Sequence, residues 1–235
     1  MHIETAKVRR LYLEVAGQIE QQINSGAIKP GKRLPSERNL ATNFNVSRPT
    51  IREAMIALEI AGLVEIRTGS GIYVIGQTQP SGRMLKDEGP GPFEVLESRL
   101  VVEPEVAALA AERISDEQII ELERALGEME KQNAEGPVTE RADQQFHCII
   151  ATASRNSALA STVEWLWELR NKSRISTLFH QRVREEGVHP SLEDHRRIFE
   201  AIKNRDPMLA RTSMHQHISN ALESDIAMLE DEKYS

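Results

Sequence analysis

One cysteine, Cys148, stands in 235 residues, so no internal disulfide holds the fold and a disulfide-framed scaffold is excluded. No run approaches the ~18 uninterrupted apolar residues that a membrane span requires, and Met1 to Arg10 carries no apolar signal core. These absences point to a cytoplasmic protein with no membrane partner. HExxH, GxSxG and the P-loop are also missing, which removes the commonest short signatures of hydrolases and nucleotide binders. A di-iron helix bundle would need two Glu-x-x-His units; only Glu186 to His189 fits, beside loop-forming Gly187 and Pro190. A metal-dependent enzyme is therefore the least supported class, and non-enzymatic binding the favoured one. No repeat at solenoid spacing is present.

What is present reads as globular: 40% hydrophobic and 28% charged residues, in a length that suits one large domain or two modest ones. The formal charge of −7 divides unevenly. Residues 1–76 hold ten Lys plus Arg against seven Asp plus Glu, or +3; the remaining 19 against 29 give −10. A basic head on an acidic body suits a head that meets a polyanion. Between them GQTQPSGRMLKDEGPGP, Gly76 to Pro92, has the composition of a linker, so the expected domains are 1–75 and 93–235 with 76–92 between.

In the head, Leu11, Val15, Ile19 and Ile23 predict a helix over Val8–Ser25, stopped by Gly26. After the Lys29-Pro30-Gly31 turn, Ser36 caps a short helix and Asn45 suits a left-handed position. Ser47 caps the next helix, with Pro49 in its first turn and Gly62 ending it. Leu63–Arg67 and Ile72–Val74 form a hairpin around Thr68-Gly69-Ser70-Gly71. In the helix from Ser47, Ile51, Ala54, Met55 and Leu58 make one stripe, with Arg48 and Arg52 expected on the opposite side, placed for base edges and phosphates of a major groove. Arg38 is placed for the DNA backbone, and the glycine-rich tip allows close approach.

The ordered set L34-P35-S36-E37-R38, V46-S47-R48-P49-T50-I51-R52-E53-A54, L58, G62-L63-V64 and R67-T68-G69-S70-G71 resembles the GntR family of bacterial transcription regulators over about residues 8–75. The resemblance implies a winged helix-turn-helix, three helices plus a β-hairpin wing, in a homodimer that binds a palindromic operator in double-stranded DNA. It implies Arg38, Ser47, Arg48, Thr50, Arg52 and the wing residues Thr68, Gly69, Ser70 and Gly71 as contacts.

Beyond the linker, helix-periodic segments cover about 93–113, 116–132, 139–153, 157–180, 191–204 and 207–230, an antiparallel all-α bundle of six or seven helices in a mainly α chain. Pro104 should bend or interrupt the first. Asp143 and His147 lie one turn apart on a single face. His195 shares its face with Leu192, Ile198, Phe199 and Ile202, and His217 with Ala210, Met214 and Ala221, whereas His215 points away. His195 and His217 lie eleven residues either side of position 206, at which the last two helices turn, so at 1.5 Å per residue both stand ~16 Å from it and level in an antiparallel pair. Asp143, His147, His195 and His217 make a set suited to a divalent transition metal, Zn first, with Ni, Mn or Fe as alternatives. The competing explanation is a set of hydrogen-bonded core histidines.

D143-Q-Q-F-H147, E193-D194-H195 with I198-F199-E200-A201-I202, and A210 through M214 to H217 resemble the FCD ligand-sensing domain of the FadR subfamily over about 93–230, which implies the same four ligands and a small carboxylate effector. Arg99 matches a position where that family often binds the effector carboxylate; a plain salt bridge to Glu103, one turn on, competes with that role. Asn156, Arg170 and Asn171 are further pocket candidates. R9-R10-L11-Y12, S70-G71-I72, G91-P92-F93-E94-V95-L96-E97-S98-R99 and R155-N156-S157-A158-L159-A160 look like repressors of hexuronate use, which implies a hexuronate or its keto isomer as effector. A regulator in which the ion itself is the signal stays open beside it. Cys148, about 100° around the helix from His147, reads as a small hydrophobe, and Trp165 and Trp167 as packing residues.

Overall fold

The computed structural model of this chain describes residues 10–67, 70–75, 89–135, 141–185 and 191–229, and for 133–135, 182, 185 and 225–229 the backbone alone. Two units divide it: the chain through Phe93, together with its end from Met228, and Glu94–Ala227.

The first unit runs α1 (Leu11–Asn24), α2 (Glu37–Phe44), α3 (Arg48–Ile60), β1 (Val64–Arg67) and β2 (Gly71–Val74). Local chemistry sets each boundary. Ser36 Oγ accepts from the Asn39 amide to start α2, Asn45 at φ 53° ends it, and Ser47 Oγ accepts from the Thr50 amide to start α3. The α1 stripe holds Val15, Ile19 and Ile23 as expected, with Tyr12 and Ala16 buried beside them, whereas Leu11 faces solvent. The hairpin pairs Val64 with Val74 and Arg67 with Gly71. Residues 31–34 lie along the free edge of β2, with Gly31 N donating to Val74 O at 2.7 Å and Leu34 N to Ile72 O at 2.8 Å. The turn at Pro30-Gly31 thus gives the wing a third extended segment. Of the expected linker, residues 76–88 lie outside the described ones. Its end is tied to the first unit: Tyr12 Oη donates to Gly89 O at 3.1 Å, and the Phe93 amide donates to Glu53 Oε1 at 3.0 Å.

The second unit holds α4 (Pro92–Arg113) from Glu94 on, α5 (Asp116–Glu135), α6 (Arg141–Ala153), α7 (Ser157–Lys172), α8 (Arg174–Glu185), α9 (Leu192–Lys203) and α10 (Pro207–Leu229) as far as Ala227. Leu122, Met129, Phe146, Ile150, Trp167, Ile198, Ile202 and Met214 fill its centre. Pro104 does not interrupt α4, which continues to Arg113. The buried Val106, Ala107, Ala110 and Ala111 after it give that stretch packing enough to outweigh one missing hydrogen bond. The expected helix 157–180 is two helices: Ser173 adopts extended backbone, ψ 124°, and the chain turns between α7 and α8. Among the described residues no helix is long and apolar enough to cross a membrane.

Candidate metal centre and nucleic-acid interface

Asp143 and His147 from α6, His195 from α9 and His217 from α10 converge so that one ligand atom from each lies within 4.8 Å of the others, and all four are buried. The His195 and His217 rings are 4.3 Å apart, as level placement on neighbouring antiparallel helices requires. His215 is exposed.

Hydrogen bonds fix how these rings face. His195 Nδ1 lies 2.7 Å from the Ser191 carbonyl oxygen, which only accepts, so Nδ1 carries the proton. Its Nε2 is then a lone pair, yet it stands 2.9 Å from Asp143 Oδ1. His147 repeats the pattern: Nδ1 meets the Glu103 carboxylate, and Nε2 lies 3.4 Å from the same Asp143 oxygen. Lone pairs facing a carboxylate inside a protein require a proton or a cation between them. Two outer partners aiming imidazole nitrogens inward is the support that metal-ligating histidines ordinarily have. Neither His147 Nε2 nor His217 Nδ1 has a hydrogen-bond partner among the described residues. Protonation of His147 would pair its Nε2 with Asp143 but would leave His217 Nδ1 unmatched; a nitrogen- and oxygen-binding divalent ion fits the whole set.

Burial lowers the His147 imidazole, but charge from Glu103 and hydrogen bonds with Asp143 and Glu103 outweigh it and raise the group above its ordinary value, so either a proton or an ion can stand between its Nε2 and Asp143. Burial raises the Asp143 carboxyl, but hydrogen bonds and charge from His147 and His195 outweigh it and hold the group well below the usual carboxylate range. Burial, with His195 and His147 beside it, pushes His217 well below the ordinary imidazole value, which keeps it neutral and able to ligate. Glu103 is held at about 2 because Arg99 and His147 outweigh the effect of burial.

Arg99 makes the competing salt bridge: Nε donates to Glu103 Oε1 at 2.6 Å. It is nevertheless an interior group, 4% exposed, with its guanidinium 4.1 Å over the Trp167 ring. Arg170 lies 5.1 Å over the same ring and is also buried. The other two pocket candidates are elsewhere. Asn156 is exposed and spends Oδ1 on the Ala158 and Leu159 amides as the cap of α7, and Asn171 is exposed with Nδ2 donating to Gln144. Glu103 and Ser191 position the histidines and were not singled out for that; their signals are a carboxylate one turn from Arg99 and a helix cap one turn before His195. Cys148 is half-buried and its thiol is pushed up to about 11 by burial and by Glu164 and Glu103, which leaves it unreactive.

In the first unit Arg38, Ser47 and Arg48 are exposed, Thr50 is half-buried, and Ser70 is exposed at the wing tip next to Gly71 at φ 113°. Thr68 and Gly69 lie outside the described residues. Arg52 departs from expectation. It is 1% exposed, and its Nε pairs with Glu37 Oε2 at 2.8 Å. At ~100° from Ile51 it sits on the flank of the apolar stripe rather than opposite it, where α2 covers it. Glu53, on the true far side, is covered by residues 91–93. Arg33, which went unnoticed in the sequence, brings its guanidinium to where a Cβ on residue 71 would stand, and so adds a cation beside the wing.

Comparison with known proteins matches residues 94–220 to the FCD domain and residues 11–74 to bacterial regulatory proteins, gntR family. The Exu regulon transcriptional regulator of Escherichia coli (strain K12) is 36% identical over 226 residues, which cover 93% of this chain and 85% of that one. The Uxu operon regulator of Haemophilus influenzae is 34% identical, covering 91% and 81%. The Uxu operon transcriptional regulator of Escherichia coli (strain K12) is 34% identical, covering 90% and 85%.

Proposed function

This chain belongs to the gntR family of bacterial regulatory proteins and carries an FCD domain, and from that premise we propose a repressor of sugar-acid catabolism that a hexuronate or its keto isomer releases from a palindromic operator. It is a transcriptional regulator and not an enzyme, as its two domains and its relatives are. In this reading a homodimer presents two first units to DNA. Arg48, at the exposed start of α3, reads base edges; Arg38, Ser47 and Thr50 meet the backbone; and Thr68, Gly69, Ser70 and Gly71 form the wing contact, with Arg33 beside it. Arg52 is assigned to holding α3 against α2.

Asp143, His147, His195 and His217 would hold the ion, Zn first and Ni, Mn or Fe as alternatives. A bound divalent ion supplies a Lewis-acidic point for a carboxylate or hydroxyl oxygen. The chain supplies the rest: Arg99 and Arg170, on either side of Trp167, offer positive charge in a dry interior, where a carboxylate is strongly held. The observation that carries this reading is the convergence of imidazole lone pairs on a buried carboxylate, next to two buried guanidiniums. The relatives named for the Exu and Uxu regulons support the sugar-acid class.

The test is operator binding by fluorescence anisotropy, with galacturonate, glucuronate and their keto isomers, before and after chelation. Release by a uronate that needs the metal, and that Arg99→Met abolishes, is the expected result. Release by chelator alone, with no response to any sugar acid, would make the ion itself the signal and overturn the proposal.

A further inference from the structure

One cluster in the second unit is not used by the metal centre. Ser173 breaks the helix, so α8 doubles back and brings His180 to Arg170: Arg170 Nη2 lies 3.4 Å from His180 Nδ1. In one continuous helix those residues would stand ~15 Å apart. A guanidinium only donates, so Nδ1 accepts and the proton of the neutral ring sits on Nε2. His180 is 5% exposed, and its Nε2 has no hydrogen-bond partner among the described residues. Ser176 Oγ, one turn earlier on the same face of α8, is fully buried and equally unmatched. Trp167 Nε1 is the third such atom; its ring carries Arg99 and Arg170 and lies 5.3 Å from that of His147. Buried donors in a folded protein are almost always satisfied; Trp167 and His180 both meet the buried Arg170 guanidinium and Ser176 lies one turn from His180, so the three ask for a common acceptor.

We propose that Trp167, Ser176 and His180 form a hydroxyl-reading subsite that selects a long polyhydroxylated carboxylate over a short hydroxy acid. The inference rests on the sugar-acid reading above and deepens it. Two N–H donors and one hydroxyl, beside a cation, fit successive oxygens of a six-carbon chain whose other end lies toward His147. A short acid such as glycolate would reach the metal centre and leave all three unmatched. Burial and the guanidiniums of Arg170, Arg184 and Arg99 hold His180 well below the ordinary imidazole value, in keeping with a neutral donor.

The experiment is calorimetric titration of the metal-loaded full chain with galacturonate and with glycolate, for wild type, Trp167→Phe, Ser176→Ala, His180→Phe and His180→Gln. Each of the first three variants is expected to lose about ten-fold in galacturonate affinity with glycolate affinity unchanged, and His180→Gln, which keeps a donor, to recover most of it. For Ser176→Ala the ligand-free melting temperature should hold or rise, because removing an unmatched buried hydroxyl relieves a cost; Trp167→Phe and His180→Phe also remove packing and the acceptor of Arg170, so they are read from the ratio of galacturonate to glycolate affinity. Unchanged galacturonate affinity in all three variants, or an equal loss for glycolate, overturns the subsite while leaving the sugar-acid reading intact. If galacturonate does not bind metal-loaded wild type and the keto isomers also fail, the sugar-acid reading falls first and the subsite with it.

Discussion

The first unit keeps the residues proposed to meet DNA at the surface and spends its polar interior on holding elements together; the second buries the residues proposed to hold the ion and the acid. Arg38, Ser47 and Arg48 are exposed, whereas Arg52 and Glu53 of α3 are buried and fix that helix against α2 and residues 91–93. In the second unit Asp143, His147, His195, His217, Arg99, Arg170 and His180 are all interior. A reader of a polyanion gains from charges that cost nothing to solvate until the partner arrives. A sensor of one small acid gains from charges already stripped of water, at a cost in fold stability. Function and stability are therefore separable in the head and entangled in the body.

The largest test of that difference is Asp143→Ala. Removing one partner from a buried charged cluster costs roughly 3 to 5 kcal/mol, so in chelator the second unit should lose most of its stability, and metal binding should be lost with it. Calorimetry with both units present is expected to show the second unit's transition moving alone. If both transitions stay in place, the aspartate is not structurally coupled and the contrast between the units fails.

Next comes a pair of arginines four residues apart. Arg52→Ala strips Glu37 of a buried partner and is expected to destabilise the first unit by about 2 to 3 kcal/mol. Arg48→Ala should leave stability within about 0.5 kcal/mol and cost operator affinity about 1 to 3 kcal/mol, with relaxed base preference. Urea unfolding and a salt-controlled gel shift on both variants check the pair. A stability-neutral Arg52→Ala that abolishes DNA binding would return that residue to the reading surface.

How much of this was legible depended on whether the signal was local. Ser36 and Ser47 cap amides three residues on, Asn45 and Gly62 adopt positive φ, and each marks an element boundary as expected. Asp143 with His147, and His195 with His217, were legible because helical spacing and one turn fix their relative heights. What failed needed information from another element. Arg52 turns inward because α2 lies there, and His180 meets Arg170 only because the chain breaks at Ser173, in a stretch whose helical periodicity runs on without punctuation. Asn156 differs for the opposite reason: it is exposed, and local capping chemistry already accounts for a residue expected in the pocket.

A smaller effect sharpens the contrast through pH. Burial, then Arg170, Arg184 and Arg99, holds His180 well below the ordinary 6.5, so the unfolded chain binds the proton that the folded chain refuses. Stability of the second unit should fall as pH drops through about 6.5, and His180→Gln should flatten part of that fall while the first unit's transition is unaffected. Thermal melts from pH 8 to 5 in chelator measure it, and an equal slope in the variant would assign the loss to other groups.

The smallest expected effect separates two roles at one atom in the head. Ser47 Oγ accepts from the Thr50 amide at 3.3 Å and shares a hydrogen bond with Thr50 Oγ1 at 2.8 Å, so as a cap it is worth about 1 kcal/mol. Ser47→Ala should cost the first unit that amount and weaken DNA binding as well, which leaves cap and contact confounded. Ser47→Asp separates them, because a carboxylate caps a helix at least as well as a hydroxyl and suits the positive end of α3, yet it repels a phosphate. Preserved stability with weakened operator binding is the expected result. Preserved stability with full affinity would make Ser47 a cap alone and move the backbone contact to Arg38 and Arg48, in line with a head whose inner and outer duties fall on different residues.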